Sequence, residues 1–130
     1  MKEPVQLIAA ELSRAEHALK AAKSLIRDGL FADSITRSYY GVFHAARACL
    51  LHTGHNASTH KGVFALFYQH LIKTGMIEEE YGQILKEEKE ERLLSDYAVE
   101  EQFDYERAKS CMEDSEKFIL RIKSYLIKKR

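Results

Sequence analysis

The stretch Val5–Ile26, VQLIAAELSRAEHALKAAKSLI, decides the fold class of this chain. Its apolar residues recur at alternating spacings of three and four, the period of one face of an α-helix. This seam consists of Val5, Ile8, Leu12, Ala15, Leu19, Ala22 and Ile26. Gly29 follows it and is expected to end the helix, because glycine readily adopts the positive φ found after helix ends. The pattern therefore predicts a first helix that packs an apolar face against a core.

Four further segments are predicted to be helical. The second helix should be capped by Asp33 or Ser34 and run to about His52, before Gly54. The third helix is expected to begin at Ser58 or Thr59 and to end at Gly75. The fourth should begin at about Glu78. The last should begin near Asp104, after the polar stretch Ala98–Gln102.

The segment from Glu78 to Tyr97 has few apolar residues, so it should be an outer helix, one that could be broken. No alternation typical of a strand is found in the sequence. The prediction is an all-α fold, an antiparallel up-and-down helical bundle of four long helices plus a short or broken fifth, forming a single domain over residues 1–130. The expected core residues are Leu12, Leu19, Val42, Phe67 and Phe118.

Composition narrows the class of function. No apolar run approaches the roughly 20 residues of a membrane span, and no signal-peptide pattern opens the chain, so a cytoplasmic protein that does not enter a membrane is expected. Cys49 and Cys111 occupy apolar positions outside any CxxC pair, which is typical of reduced core thiols. His52, His55 and His60 fit no compact tetrahedral spacing. No metal or cofactor is therefore predicted.

Charge is distributed unevenly along a chain whose net charge is zero. The segment from Ser34 to Ile77 contains no Asp or Glu, but it holds four basic residues and five of the six histidines. Residues 1–75 carry nine basic and five acidic side chains, and residues 76–130 carry eleven basic and fifteen acidic ones. The asymmetry indicates an anionic partner for the first half, such as a phosphate, a nucleic acid or an acidic protein surface. The alternative is that these segments form the centre of the bundle, where acids are rare.

Arg37 and His44 are the candidate catalytic pair. They are seven residues apart, so they lie on one face of the second helix. A guanidinium can hold a phosphate and neutralise developing charge, while an imidazole can act as a general base or acid near pH 7. Alternatively, Arg37 pairs with a carboxylate such as Asp96, and His44 is a hydrogen-bonded core histidine.

Several other residues are candidates for nucleotide or RNA binding: Arg47, Lys61, His60 and Tyr40. Tyr40, with Tyr39 and Phe43, could stack on bases, although such a cluster is also typical of helix packing. His60 and Lys61 stand at the start of the third helix, where backbone N–H groups attract anions and where ordinary N-capping is the alternative.

A supporting group, Arg92, Asp96 and Tyr97, lies near the end of the fourth segment. Arg92 and Asp96 are four residues apart on a helix and could form no more than a surface pair.

Three motifs resemble those of the HEPN superfamily (higher eukaryotes and prokaryotes nucleotide-binding), in its small stand-alone prokaryotic branch. They are SYYGVFHAAR at 38–47, STHKGV at 58–63, and Arg92 followed by Asp96-Tyr97. The resemblance implies a helical bundle of four to five helices, often a homodimer, and frequently the toxin partner of a minimal nucleotidyltransferase antitoxin. It further implies a metal-independent ribonuclease whose arginine and histidine would be Arg37 and His44.

Two classes of function follow. The first is an RNA- or nucleotide-binding protein, with ribonuclease activity carried by Arg37 and His44. The second is a non-catalytic interaction module whose cationic face docks an acidic protein partner. A homodimer is expected in addition, because seven tyrosines and six phenylalanines exceed what a thin bundle needs inside.

Overall fold

The computed structural model describes residues 4–98 and 102–128, which form five α-helices and contain no strand. The helices are α1 (Pro4–Arg27), α2 (Phe31–His52), α3 (His60–Phe67), α4 (Glu79–Tyr97) and α5 (Tyr105–Lys128). The chain continues from α3 through one π-helical turn, Tyr68–Ile72. The predicted all-α bundle with four long helices and one short helix is confirmed. The short helix is α3, whereas the charged α4 is unbroken over 19 residues.

The second helix is the centre of the bundle. It contacts α1, α3, α4 and α5, and its residues Ile35, Val42 and Cys49 have no exposed surface. Because so many helices pack against it, α2 is buried on most of its circumference. What remains accessible on α2 is a narrow strip, and the candidate site lies on this strip.

The buried line of α1 differs from the predicted seam. Leu12 and Leu19 are half-buried at the edge of the core, whereas the buried positions of α1 are Glu11, Ala15, Ala18 and Ala22. Ala15 and Ala22 of the predicted seam are buried as expected. The full burial expected for Leu12 and Leu19 is wrong, and Glu11 and Ala18 are buried in their place. The alanines turn inward because a small side chain lets α1 lie close against α2. The other predicted core residues, Val42, Phe67 and Phe118, have no exposed surface.

The start of α2 also differs from the prediction. The helix begins at Phe31, and the preceding Leu30 makes no side-chain capping hydrogen bond. Ser34, predicted as a cap, is buried in the first turns and donates its hydroxyl to the carbonyl oxygen of Ala22 at 2.8 Å. The predicted cap Thr59 is confirmed, since its hydroxyl accepts a hydrogen bond from the amide of Gly62 at 3.0 Å.

Gly41 sets the distance between α2 and α5. A Cβ at this position would lie 2.6 Å from Oγ of Ser115 on α5. That hydroxyl donates to the carbonyl oxygen of Ser38 at 2.8 Å, so a side chain meets the backbone of α2 directly at this point. Only a residue without a side chain permits this approach. Within the described ranges, no helix is both long and apolar enough to cross a membrane.

Candidate functional site

The accessible strip of α2 carries the predicted pair and two further candidates, Arg37, Tyr40, His44 and Arg47, all of them half-buried. Neighbouring helices add His60 at the start of α3, Arg92 and Asp96 near the end of α4, and Glu11 on α1. We call this group of eight side chains the Arg–His face. The contacts described below connect all of its members.

A buried carboxylate positions the histidine. Oε2 of Glu11 lies 2.7 Å from Nδ1 of His44, and Oε1 of the same carboxylate accepts a hydrogen bond from a terminal nitrogen of Arg47 at 3.1 Å. The Glu11 side chain is 11% exposed, so these contacts are shielded from water. An ionised carboxylate can only accept, so Nδ1 of His44 carries the proton, and Nε2 is the nitrogen with a free lone pair in the neutral ring.

The ionised form of Glu11 is favoured despite its burial. Burial by itself raises the pKa of this carboxyl group, but the hydrogen bond to His44 and the positive charges of His44, Arg47 and Arg14 outweigh it. The pKa of Glu11 therefore lies below its ordinary value. The carboxylate is charged at neutral pH and can fix the orientation of the imidazole.

Arg37 and His44 flank one aromatic ring. The guanidinium carbon of Arg37 lies 4.7 Å from the centroid of the Tyr40 ring, and the His44 ring centroid lies 6.3 Å from the same centroid. Both members of the predicted pair thus lie near the ring of Tyr40. In the part of the chain that the structure describes, Arg37 forms no ion pair with a carboxylate.

Arg92 supports the face from α4. Its guanidinium lies 5.1 Å from the Tyr39 ring centroid and 5.9 Å from that of Tyr40. Asp96 holds it at 3.0 Å and also accepts a weak hydrogen bond, at 3.4 Å, from the hydroxyl of Thr36. The alternative pairing of Asp96 with Arg37 is therefore wrong. The carboxylate binds the arginine four residues away on its own helix, where the geometry brings the two side chains together.

His60 belongs to the aromatic interior of the face. Its ring stacks on Phe43 with centroids 4.1 Å apart, and its Nδ1 is hydrogen-bonded to the hydroxyl of Tyr39. Burial raises the pKa of Tyr39 to about 12, so the phenol keeps its proton at neutral pH. Burial, together with the charges of Arg92 and His44, lowers the pKa of His60. His60 is therefore a neutral ring that packs against the core rather than a cation that attracts phosphate.

Two predicted site residues are not gathered into the face. Lys61 is exposed, and its side chain makes no hydrogen bond or ion pair within residues 4–98 and 102–128. Tyr97 is 72% exposed and borders an apolar surface pocket with Leu93 and Leu94.

The packing alternative is correct for Tyr39 and Phe43, which are 1% and 5% exposed. Among the described residues, no group of three or more His, Cys, Asp or Glu side chains could hold a metal ion.

Glu11 is the member of the face that the sequence analysis missed. It lies on the buried line of α1, four residues before Ala15 and seven before Ala18. The signal in the sequence is a single acidic residue that shares a helix face with several alanines. A charge buried on such a face requires a partner, so it indicates an ionic contact with another helix. The apolar seam of the first helix predicts packing alone and does not indicate a contribution to the site.

The fold and the face together define a small helical bundle whose central helix presents an arginine and an oriented histidine on one accessible strip. Comparison with known proteins identifies the family to which this helical bundle belongs. Residues 9–125 match the model of the HEPN domain. The chain belongs to the HEPN domain family.

Relatives of the chain occur in archaea and bacteria. The chain is 37% identical over 126 residues to the protein named "Putative toxin MJ0605" from Methanocaldococcus jannaschii, an alignment that covers 97% of this chain and 91% of that protein. It is 31% identical over 119 residues to a UPF0332 protein of Thermotoga maritima, covering 92% and 90% of the two chains. The crystal structure of TT1696 from Thermus thermophilus has the same fold, with a TM-score of 0.79 at 15% identity over 91% of this chain and 97% of that one.

Proposed function

We propose that this protein is a toxin-like HEPN protein that binds RNA through the Arg–His face and cleaves it without a metal ion. The observation that carries the proposal is the state of the three arginines on the face. Glu11 holds Arg47 at 3.1 Å and Asp96 holds Arg92 at 3.0 Å, whereas Arg37 pairs with no carboxylate in the described ranges. Its charge is therefore available for a phosphate, and both Arg37 and the oriented imidazole of His44 lie near the ring of Tyr40.

The chemistry needs a base and a cation, and each has a candidate. Nε2 of His44 takes the proton from a ribose 2′-hydroxyl, and the 2′-oxygen attacks the adjacent phosphorus. The bond from phosphorus to the 5′-oxygen of the next nucleotide breaks, and the leaving oxygen takes a proton from water, which gives a cyclic 2′,3′-phosphate and a 5′-hydroxyl. Arg37 neutralises the negative charge that develops on the phosphoryl oxygens. Glu11 acts as a positioning residue, because it holds the proton of His44 on Nδ1 and thereby leaves Nε2 as the base.

The remaining candidates would extend the binding surface. Tyr40 is half-buried between Arg37 and His44 and can offer a ring face or edge to a base. Lys61 is exposed at the start of α3 and can meet a neighbouring phosphate. Arg47 and His60 contribute by holding Glu11 and the aromatic rings in place.

The assembly is part of the same proposal. We expect a homodimer, supported by the exposed apolar residues at the end of α4, where Leu93 is 41% and Tyr97 is 72% exposed. A nucleotidyltransferase that neutralises the toxin is the expected protein partner, in keeping with the family and with relatives that bear the name of toxins.

The test is an RNA cleavage assay on a mixed RNA pool in the presence of a chelator. We expect the wild-type protein to cleave, His44→Ala to bind RNA without cleaving it, and Arg37→Ala to lose both cleavage and affinity. Arg27→Ala is the matched control, since Arg27 is exposed in the last turn of α1, sixteen residues after Glu11, and its loss should leave both properties unchanged.

Two results would contradict the proposal. Equal cleavage by the wild type and His44→Ala would exclude His44 as the base. Absence of cleavage and of RNA binding in the wild type would favour the interaction module that docks an acidic protein.

A further inference from the structure

A second candidate site lies between α4 and α5, and its charge is opposite in sign to that of the Arg–His face. These helices border a cavity of about 430 Å³ lined by Glu87, Glu88, Glu90, Glu91, Arg107, Ser110, Cys111 and Asp114. Five of these eight side chains are acidic and one is basic. Arg107 binds Glu91 through Nε at 3.0 Å and through a terminal nitrogen at 3.1 Å, so one acidic charge is compensated within the wall. The other carboxyl groups leave the cavity strongly acidic.

Glu88 distinguishes this cavity from an ordinary acidic surface. It is 2% exposed, and its Oε1 is buried without a hydrogen-bond partner. An unpartnered buried carboxyl oxygen costs free energy in folding, so its presence in a cavity wall points to a ligand that donates to it. Burial raises the pKa of Glu88 well above its ordinary value, and Asp114, Glu91 and Glu87 raise it further. Without a ligand, the carboxyl group is therefore held in its neutral form.

The nature of the ligand follows from the donors it must supply. No group of described residues has the arrangement needed for a metal ion, and the cavity is far larger than a bare ion requires. Glu87 and Glu91 are four residues apart on α4, a rise of about 6 Å. Asp114 faces them from α5. Such a row of acceptors suits a molecule with several ammonium groups separated by short methylene chains.

We infer that the cavity between α4 and α5 is a binding site for a linear polyamine, with one ammonium group donating to the buried carboxyl of Glu88 and the others to Glu87 and Asp114. The bound ammonium favours the ionised form of Glu88, so binding releases a proton from it. The thiol of Cys111 takes no part in the exchange, because burial raises its pKa and keeps it protonated. This inference is independent of the Arg–His face and of the proposed ribonuclease activity.

Calorimetric titration of the full chain with spermidine tests the inference. We expect one site per chain and a release of about one proton, measured as the dependence of the binding heat on the ionisation enthalpy of the buffer. Glu88→Gln keeps the shape of the side chain but cannot ionise, so it should weaken binding about tenfold or more and remove the proton release. Asp114→Asn should weaken binding while the proton release remains.

The control is Glu79→Gln, which makes the same substitution in the exposed first turn of α4, outside the cavity. Thermal melting of Glu88→Gln checks that this variant is folded. The inference is overturned if spermidine does not bind, if Glu88→Gln and Glu79→Gln bind equally well, or if Mg²⁺ at the same concentration displaces spermidine. The first result would mean that the cavity is not a polyamine site, and either of the other two would mean that the acidic surface attracts cations without selecting a polyamine.

Discussion

Glu11→Gln is expected to lower the free energy of unfolding at pH 7 by about 1.5–3 kcal/mol. The carboxylate receives hydrogen bonds from His44 and Arg47, and its side chain is 11% exposed. Glutamine keeps one acceptor oxygen, so it can satisfy one donor, but it presents its NH₂ group to the other. Removing a partner from a fully buried pair costs about 3–5 kcal/mol. The smaller loss of about 1.5–3 kcal/mol applies here because the Arg47 side chain is 29% exposed, and water can replace the lost contact.

The measurement is urea unfolding followed by circular dichroism. Glu16→Gln is the matched control, since Glu16 lies on the same helix but pairs with Lys123 at the surface, where its side chain is 49% exposed. A surface pair of this kind contributes about 0–1 kcal/mol. Equal midpoints for the two variants would refute the argument that Glu11 is the buried ionic centre of the site.

The same contact predicts a pH dependence. The pKa of Glu11 is lowered in the folded state, so its carboxylate stabilises the fold fully above the ordinary carboxyl value of about 4.3. That stabilisation is lost as the pH falls through the lower, folded value. The difference in stability between the wild type and Glu11→Gln should therefore be complete at pH 7 and shrink below about pH 4. A difference that grows on acidification would contradict the assignment.

Three further predictions concern packing and the proposed phosphate contact. Gly41→Ala should destabilise the protein by about 1–3 kcal/mol in urea unfolding, because its Cβ would meet the Ser115 hydroxyl; an unchanged midpoint would mean that α2 and α5 separate easily. Phe118→Ala should cost about 3–5 kcal/mol, because this ring has no exposed surface, and a smaller loss would place it at the edge of the core. Arg37→Ala should reduce the slope of log affinity for single-stranded RNA against log salt by about 0.7; an unchanged slope in a filter-binding series would show that Arg37 meets no phosphate.

The sequence predicted the helices well because their apolar period is regular and uninterrupted. The boundary of α2 was less accurate, since Ser34 has the residue type of a cap but donates its hydroxyl to the backbone of α1. Leu12 and Leu19 have larger apolar surfaces than the alanines beside them, and this favoured them as core residues. The tight contact between α1 and α2 decided otherwise, and periodicity within a single helix carries no information on such a contact.

The candidate site was predicted in part, for a related reason. Spacing alone placed Arg37 and His44 on one face, and the structure brings both against Tyr40. The partners of these residues could not be read in the same way. Glu11 lies on another helix, and Asp96 selects Arg92, so the distinction between paired and unpaired arginines appears only once the helices are assembled.

The π-helical turn after α3 has a consequence for chain length. The amide of Lys73 bonds to the carbonyl of Tyr68, five residues earlier, at 2.9 Å, so the turn holds one residue more than an α-helical turn. The core positions Leu71 and Ile72 accordingly follow Phe67 at spacings of four and five residues. Loss of the exposed Gln69 would bring these spacings to three and four, which lie on one face of an α-helix. A related chain one residue shorter at this turn is therefore expected to keep the same core, and a single-residue gap in an alignment here would mark a change of helix type rather than a change of fold.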